Sequence, residues 1–331
     1  MKRVLITGGA GFIGHHFVEY LIWKTEWEIV VLDRLDLSGN LNRLRDLRVT
    51  PEQWKRVKFV WHDFKAPINE HVAKAIGEVS YIIHLGGSTH VDRSIEDPVL
   101  FAMDNVVGTT NMLNYARTLP ALEKFINFST DEVFGPAAPG MAHKEDAPYI
   151  PSNPYSASKA GAASMGYAFF VTYGLPIVTT YTMNNFGERQ HPEKLIPKTI
   201  RSIMEGKPMP IFSQLNDKGE LEAVGSRFWL HCQNTASAIF FLLDKGVSGE
   251  SYNVIGFDEL TNLEMAQKIA AIIGKPLIPE YVDFHKARPG HDRRYALDGS
   301  KLRDLGWSPE VDFLDSLRRT VEFALTHPEW S

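Results

Sequence analysis

An α/β fold, with helices covering both faces of a mainly parallel sheet, is predicted by three observations on this sequence. Short apolar runs alternate with amphipathic segments through the first half of the chain. The first of these runs opens directly into a glycine-rich turn. Beyond residue 183 the alternation gives way to a stretch rich in Pro, Gly, Asn and Lys, which predicts a smaller C-terminal α/β region built on loops and short helices. With 331 residues, 44% of them hydrophobic, the chain can bury a large core in one large domain or two unequal ones.

Taken in order, Val4 to Thr7, Glu28 to Leu32, Val57 to Trp61, Tyr81 to Leu85 and Lys124 to Ser129 read as strands. A helix beginning near Gly11 places Ile13, Phe17, Tyr20 and Leu21 on one face, and a second runs from about Pro98 to Arg117. A helix from Tyr155 to about Tyr173 and a strand around Pro176 to Tyr181 follow. Further on come a helix from about Asn234 to Asp244 and a strand from Ser251 to Ile255. Thr261 with Glu264 three residues later forms a capping box ahead of Leu263, Ala266, Ile269, Ala270 and Ile273 at helical spacing. The last helix is about Leu314 to Thr326.

Composition excludes several classes. The formal net charge is −5, from 35 basic and 40 acidic side chains, with no dominant basic patch, so nucleic acid is not an expected partner. Cys232 is the single cysteine, which rules out an internal disulfide framework and fits a reducing, cytoplasmic setting. The N-terminal apolar run reads as a core strand, and no stretch reaches membrane-spanning length. The 12 histidines are scattered and have no cysteine partners, so no metal site is expected. Trp54, Trp61 and Trp229 read as packing residues.

The glycine turn, Thr7-Gly8-Gly9-Ala10-Gly11-Phe12-Ile13-Gly14, carries G-x-G-x-x-G at glycines 9, 11 and 14 and G-x-x-G-x-x-G at 8, 11 and 14. One glycine permits the tight turn, one lets a pyrophosphate approach the backbone, and one lets helix and strand pack closely. Asp33 ends the next strand, nineteen positions after Gly14, where an acid can bind both ribose hydroxyls of an adenosine and repel a 2′-phosphate. These features predict a Rossmann-type, doubly wound sheet that binds NAD, although Arg34 beside Asp33 bears on the choice between NAD and NADP. Residues 1–182 with 229–257 are expected to form the NAD-binding domain. Residues 183–228 with 258–331 are expected to form the substrate-binding domain.

Tyr155 and Lys159 lie four residues apart and share a helix face, so the ammonium can lower the pKa of the phenol. A tyrosinate so placed can take a proton from a sugar hydroxyl while hydride leaves the same carbon. Ser129-Thr130-Asp131-Glu132 ends a strand at the carboxyl edge of the sheet, where ligands of such folds bind. Adjacent carboxylates do different work only when their environments differ. The helix from Tyr155 is apolar nearly all round, including Ala157, Ala160, Ala163, Met165, Tyr167, Phe169, Phe170 and Val171. Such a helix must be covered on every face, which suggests a homodimer if its outer face is not buried within the monomer.

The sequence resembles the extended short-chain dehydrogenase/reductases, and within them the dTDP-glucose 4,6-dehydratases. The matching stretches are TGGAGFIG at Thr7, LDRLDLSGNL at Leu32, HVDRSIEDP at His90, STDEVFG at Ser129, SNPYSASKAG at Ser152, NNFGERQHPEKLIP at Asn184, RFWLH at Arg227 and RPGHDRRYALD at Arg288. The resemblance implies Tyr155 as the base for oxidation at C4 of a nucleotide-activated hexose, supported by Thr130 and Lys159. It implies Glu132 as the base at C5, Asp131 as the acid for the departing C6 hydroxyl, and a bound NAD regenerated each turnover. By the same resemblance Gly8, Gly11, Phe12, Ile13, Gly14, Asp33, Asp63, Phe64 and Leu85, with Tyr155 and Lys159, hold the cofactor. His90, Asn185, Lys194, Arg227, Asn253, Arg288 and His291 hold the nucleotide sugar, and the family's dimer uses the helices from Pro98 and Tyr155.

The chain also departs from that pattern. His84-Leu85-Gly86-Gly87-Ser88-Thr89 stands where two alanines and a glutamate are usual, Glu188 where a proline is usual, and Cys232-Gln233-Asn234 where acids are usual. Ser213 to Ser226 is longer than the family's connection and follows Pro210-Ile211-Phe212, a stretch that in the family helps hold the base. A sugar-nucleotide 4-epimerase or decarboxylase on the same fold, and a non-catalytic NAD-binding protein, are the competing readings. Retention of Asp131 and Glu132 argues against the first, and retention of Tyr155 and Lys159 against the second.

Overall fold

A computed structural model describes residues 1–215, 219–256, 258–284 and 292–330. Its centre is a seven-stranded sheet containing β1 (Arg3–Thr7), β2 (Glu28–Asp33), β3 (Val57–Trp61), β4 (Tyr81–His84), β5 (Lys124–Thr130) and β6 (Ile177–Thr182), with strand Ser251–Val254 at one edge. Across the sheet the order is Ser251–Val254, β6, β5, β4, β1, β2, β3, and every neighbouring pair is parallel. The direction of winding reverses between β1 and β4. A crevice therefore opens beyond their carboxyl ends, the place where open parallel sheets bind ligands.

Alternation along β1 divides the core. Val4 and Ile6 face a layer containing Phe17, Leu21, Ile239 and Leu242, from helices Phe12–Lys24 and Cys232–Lys245. Leu5 faces the opposite layer, with Met112, Leu113 and Phe169. Burial on both faces explains why these strands read as continuous apolar runs rather than alternating ones. Cys232, at the start of its helix, is buried, and burial pushes its thiol pKa well up.

Local sequence sets the helix that carries Tyr155. Asn153 caps its first turn reciprocally with Ser156, Pro154 occupies the first helical position, and Gly174 ends it in the left-handed conformation at φ 68°. Of the two phenylalanines on this helix, Phe169 is buried and Phe170 is partly buried against the same core layer, so Tyr167, Val171 and Tyr173 are the large side chains it exposes. The segment expected as one helix from Pro98 is three pieces, Pro98–Ala102, a π-helical turn Met103–Val107, and Gly108–Ala116. Asp97 caps its start, accepting a hydrogen bond from the Leu100 amide.

Beyond β6 the chain makes small sheets. Asn185–Phe186 pairs with Leu230–His231, and Ser226–Phe228 pairs with Glu259–Thr261. The long connection after Phe212 is a hairpin extension. Strand Met209–Leu215 pairs antiparallel with Leu221–Ala223 and parallel with Pro279–Asp283. Phe186, Ile196, Ile200, Met265, Ile269 and Leu317 form the core of this region, and the Thr261–Glu264 capping box is present. Among the described residues no helix is long and apolar enough to cross a membrane.

Candidate active site

The crevice is lined on one side by the glycine turn. Gly8 has φ 68°, and a Cβ there would lie 2.8 Å from the Cα of Gly86. A Cβ on Gly14 would lie 2.1 Å from the Gly8 carbonyl oxygen, so only glycine lets helix Phe12–Lys24 begin this close to β1. Phe12 and Ile13 open that helix and remain partly exposed. Thr7 ties the two strands of the crevice together. Its Oγ1 is 2.8 Å from His84 Nδ1 and accepts a hydrogen bond from the Gly86 amide at 3.1 Å. Leu85 is partly buried against the core, and Phe64 is buried beneath the crevice, edge-on to His84 at 5.2 Å.

Asp33 is buried at the end of β2. It accepts hydrogen bonds from the Ala10 amide at 3.1 Å and the Leu35 amide at 2.8 Å. Burial raises its pKa against the lowering effect of those bonds. Arg34 Nη1 and Nη2 donate to Asp104 at 2.6 and 2.7 Å, and Asp63 lies 3.5 Å from Nη1. Glycines with no room for a side chain, a helix N-terminus facing the opening and a buried acid at the end of β2 together fit a dinucleotide.

The second constellation sits at the end of β5. Thr130 caps a short 3-10 turn, Asp131–Phe134, and its Oγ1 donates to Asp131 Oδ1 at 2.9 Å. Burial and the two acids raise the pKa of Tyr155, and the Thr130 side chain lowers it. Thr130, Asp131 and Tyr155 are all buried. The other oxygen of Asp131, Oδ2, has no hydrogen-bond partner among the described residues. Burial, then the neighbouring Glu132 carboxylate, push Asp131 up to about 7. Glu132 is also raised by burial, but Arg227 and a hydrogen bond with Asn153 oppose the shift. Tyr295 reaches Glu132 Oε2 at 3.4 Å, with the Arg227 guanidinium 4.5 Å from the Tyr295 ring. The two adjacent acids therefore have unlike surroundings, the condition for unlike roles.

Lys159 is buried on the same helix as Tyr155. Its Nζ donates to the Phe128 carbonyl at 2.5 Å, and burial brings its pKa down to about 8. Tyr155 is held above its ordinary pKa by burial and by Glu132, with the Thr130 side chain opposing. The Lys159 ammonium is tied to the backbone of β5.

Among the residues expected on the substrate side, Arg227 and Lys194 act electrostatically on Glu132. His90 caps helix Val91–Glu96, with its Nε2 3.5 Å from Glu193. Asn185 donates to the Met183 carbonyl at 2.9 Å and accepts a hydrogen bond from Thr235. Asn253 is fully buried, and its amide group donates to the His143 and Asp298 carbonyls at 3.0 and 2.9 Å, which pins strand Ser251–Val254. Arg288 and His291 lie outside the described residues. Tyr295 and Asn153 were missed as site residues, although both lie inside the stretches RPGHDRRYALD and SNPYSASKAG.

The sequence profile of the GDP-mannose 4,6 dehydratase family matches residues 5–320, and the chain belongs to that family. It is 37% identical to a dTDP-glucose 4,6-dehydratase of Neisseria meningitidis serogroup B, over 100% of this chain and 95% of the relative. It is also 37% identical to the low-salt glycan biosynthesis protein Agl12 of Haloferax volcanii, over 98% of this chain and 99% of the relative. A crystal structure of the dTDP-glucose 4,6-dehydratase from Streptomyces venezuelae, with NAD bound, superposes with a TM-score of 0.87 at 36% identity, covering 99% of this chain and 98% of that one.

Proposed function

We propose that this chain is an NAD-dependent sugar-nucleotide 4,6-dehydratase, converting a nucleoside-diphosphate hexose to its 4-keto-6-deoxy form with loss of water. The observation that carries the reading is the meeting of Thr130, Asp131, Glu132 and Tyr155 in one corner of the crevice, with the two acids in unlike environments. Gly8, Gly11, Phe12, Ile13 and Gly14 would cradle the dinucleotide, with Asp33 at its adenosine ribose and Asp63, Phe64 and Leu85 along the same wall. NAD held there would supply the hydride acceptor for oxidation at C4 of the hexose and the hydride donor for reduction at C6.

The protein's own groups divide the remaining work. Tyr155 takes the proton of the C4 hydroxyl, assisted by Thr130. In the protein alone burial and Glu132 keep the phenol protonated, so it becomes a base only when positive charge is brought beside it. Lys159, one helical turn on, can supply that charge after releasing Phe128. Glu132, oriented by Tyr295, removes the C5 proton that the new ketone acidifies. Asp131, with a pKa near neutrality, still holds a proton to give to the departing hydroxyl. Arg227, Lys194, Asn185 and His90 face the nucleotide sugar, and Arg227 suits a diphosphate because its fork matches phosphate oxygens.

The outward faces of the two helices that flank this site support a homodimer. Val99, Leu100, Met103 and Val107 on one, and Tyr167 and Val171 on the other, are exposed at helical spacing. The lone buried cysteine agrees with a reducing, cytoplasmic location. Incubation with the thymidine, uridine, cytidine and guanosine diphosphate forms of glucose, followed by mass spectrometry, tests the activity. Loss of water is expected with at least one, and none with Tyr155→Phe. Unchanged mass with all four would defeat the reading. Light scattering at micromolar concentration should give twice the monomer mass, and Val171→Glu should lower it.

A further inference from the structure

Arg34 follows the ribose-binding Asp33, the position from which an arginine in a dinucleotide fold can turn to a 2′-phosphate. In this structure it is not free to turn. Its Nε donates to Asp36 at 2.7 Å, Nη1 and Nη2 make a fork to the two oxygens of Asp104, and Asp63 closes the third side. Planar, charge-assisted pairs of this kind are strong and directional.

Asp104 is the firmest of the three acids. It is 1% exposed, whereas Asp36 and Asp63 are substantially open to solvent. Ser88 donates to its Oδ2 at 2.5 Å, and the Lys65 ammonium lies 3.5 Å from Oδ1. Burial alone would raise the pKa of Asp104, but hydrogen bonds from Arg34 and Ser88 outweigh it and the net shift is downward.

The backbone explains how the acid reaches this place. Asp104 and Asn105 lie in the π-helical turn Met103–Val107. Successive side chains of a regular helix diverge by about 100°. Here both address the same loop residue, Asn105 accepting from the Ser88 amide at 2.9 Å and donating to the Ser88 carbonyl at 3.0 Å. The loop after Leu85 carries no acid of its own through Thr89, and the π turn delivers one to it.

We propose that Asp104 is a specificity-determining residue for the cofactor: by holding Arg34 in a fork it withholds that arginine from a 2′-phosphate and reinforces the preference of Asp33 for NAD over NADP. The inference rests on the dinucleotide reading of the crevice. Asp104 acts through Arg34 and is a positioning residue.

The test reads retained nucleotide and needs no turnover. Wild type, Asp104→Ala, Arg34→Ala and the double variant are dialysed against equimolar NAD and NADP and freed of unbound nucleotide. The retained pool is then resolved by ion-exchange chromatography. Asp104→Ala should lower the retained NAD:NADP ratio by about tenfold, the worth of one modest charge-assisted contact. Arg34→Ala should leave the ratio within about twofold of wild type, because a clamped arginine contributes little to choice. The double variant should match Arg34→Ala. An unchanged ratio in Asp104→Ala overturns the inference, as does a double variant that keeps the fall, since lost negative charge rather than a freed arginine would then be the cause. Should Asp104→Ala not fold, Arg34→Ala still decides. A ratio raised more than about fivefold would mean Arg34 already reaches NADP. Retention of neither nucleotide by wild type would overturn the dinucleotide reading and this inference with it.

Discussion

Two groups of carboxylates line the same crevice and are treated oppositely. At the end of β2, Asp104 and its neighbours Asp36 and Asp63 are matched by Arg34, Lys65 and Ser88. At the end of β5, Asp131 has one hydrogen-bonded oxygen and one without a partner among the described residues, and burial brings its pKa up to about 7. A carboxylate that is fully paired stays ionised and fixes geometry. One that is buried and under-paired holds a proton loosely enough to exchange it near neutrality. The difference separates acids that position from acids that react.

The largest test of that separation is Glu132→Gln. It keeps the volume and removes the base, so turnover should fall by about 10²–10⁴. Exchange of the C5 hydrogen with deuterated solvent, followed by mass spectrometry, should slow in parallel. Elimination at the wild-type rate would place the C5 base elsewhere.

Asp131→Asn should act on stability as well as rate. The pKa of Asp131 is about 7 in the folded chain against an ordinary value of 3.8. A raised pKa means that the folded state binds this proton more tightly. The site's contribution is therefore intact at low pH and is lost as pH rises towards and through about 7. Relative to wild type, the Asn variant should gain stability across that window, reaching on the order of a few kcal/mol above it. Urea midpoints compared at acid and alkaline pH measure the gain. A constant difference between the two proteins would show that folding leaves the pKa of Asp131 unshifted.

The smallest effect is expected on the shape of the pH–rate profile. Asp104→Asn and Asp63→Asn should leave the alkaline fall in kcat where wild type has it, while Asp131→Asn should remove it. A shift of that fall in Asp104→Asn would mean that the two groups titrate together.

Much of the sheet was legible because strands buried on both faces leave unbroken apolar runs, and the glycine turn identified the first crossover. The ends of β1, β2 and β5 each fall within one residue of expectation. The π turn was not legible, since Met103 to Val107 carries no residue that distinguishes a wide turn from a regular one. Arg34 was legible as a question and not as an answer, because its partners come from positions 36, 63 and 104, brought together only by the fold. The bonds from Asn253 to the His143 and Asp298 carbonyls were not legible for the same reason. Tyr295 lay in plain view within RPGHDRRYALD, but its bearing on Glu132 depends on a contact across nearly half the chain.

Cys232 has a practical consequence. It is the one thiol in the chain, it is buried, and burial holds it protonated, whereas the reactive species towards maleimides and iodoacetamides is the thiolate. The natural sequence is thus already suited to site-selective labelling. A cysteine introduced at exposed Leu221, on the hairpin after Phe212, would take a fluorophore without a cysteine-free background, and the dye would report whether that hairpin changes its surroundings when a nucleotide sugar enters the crevice.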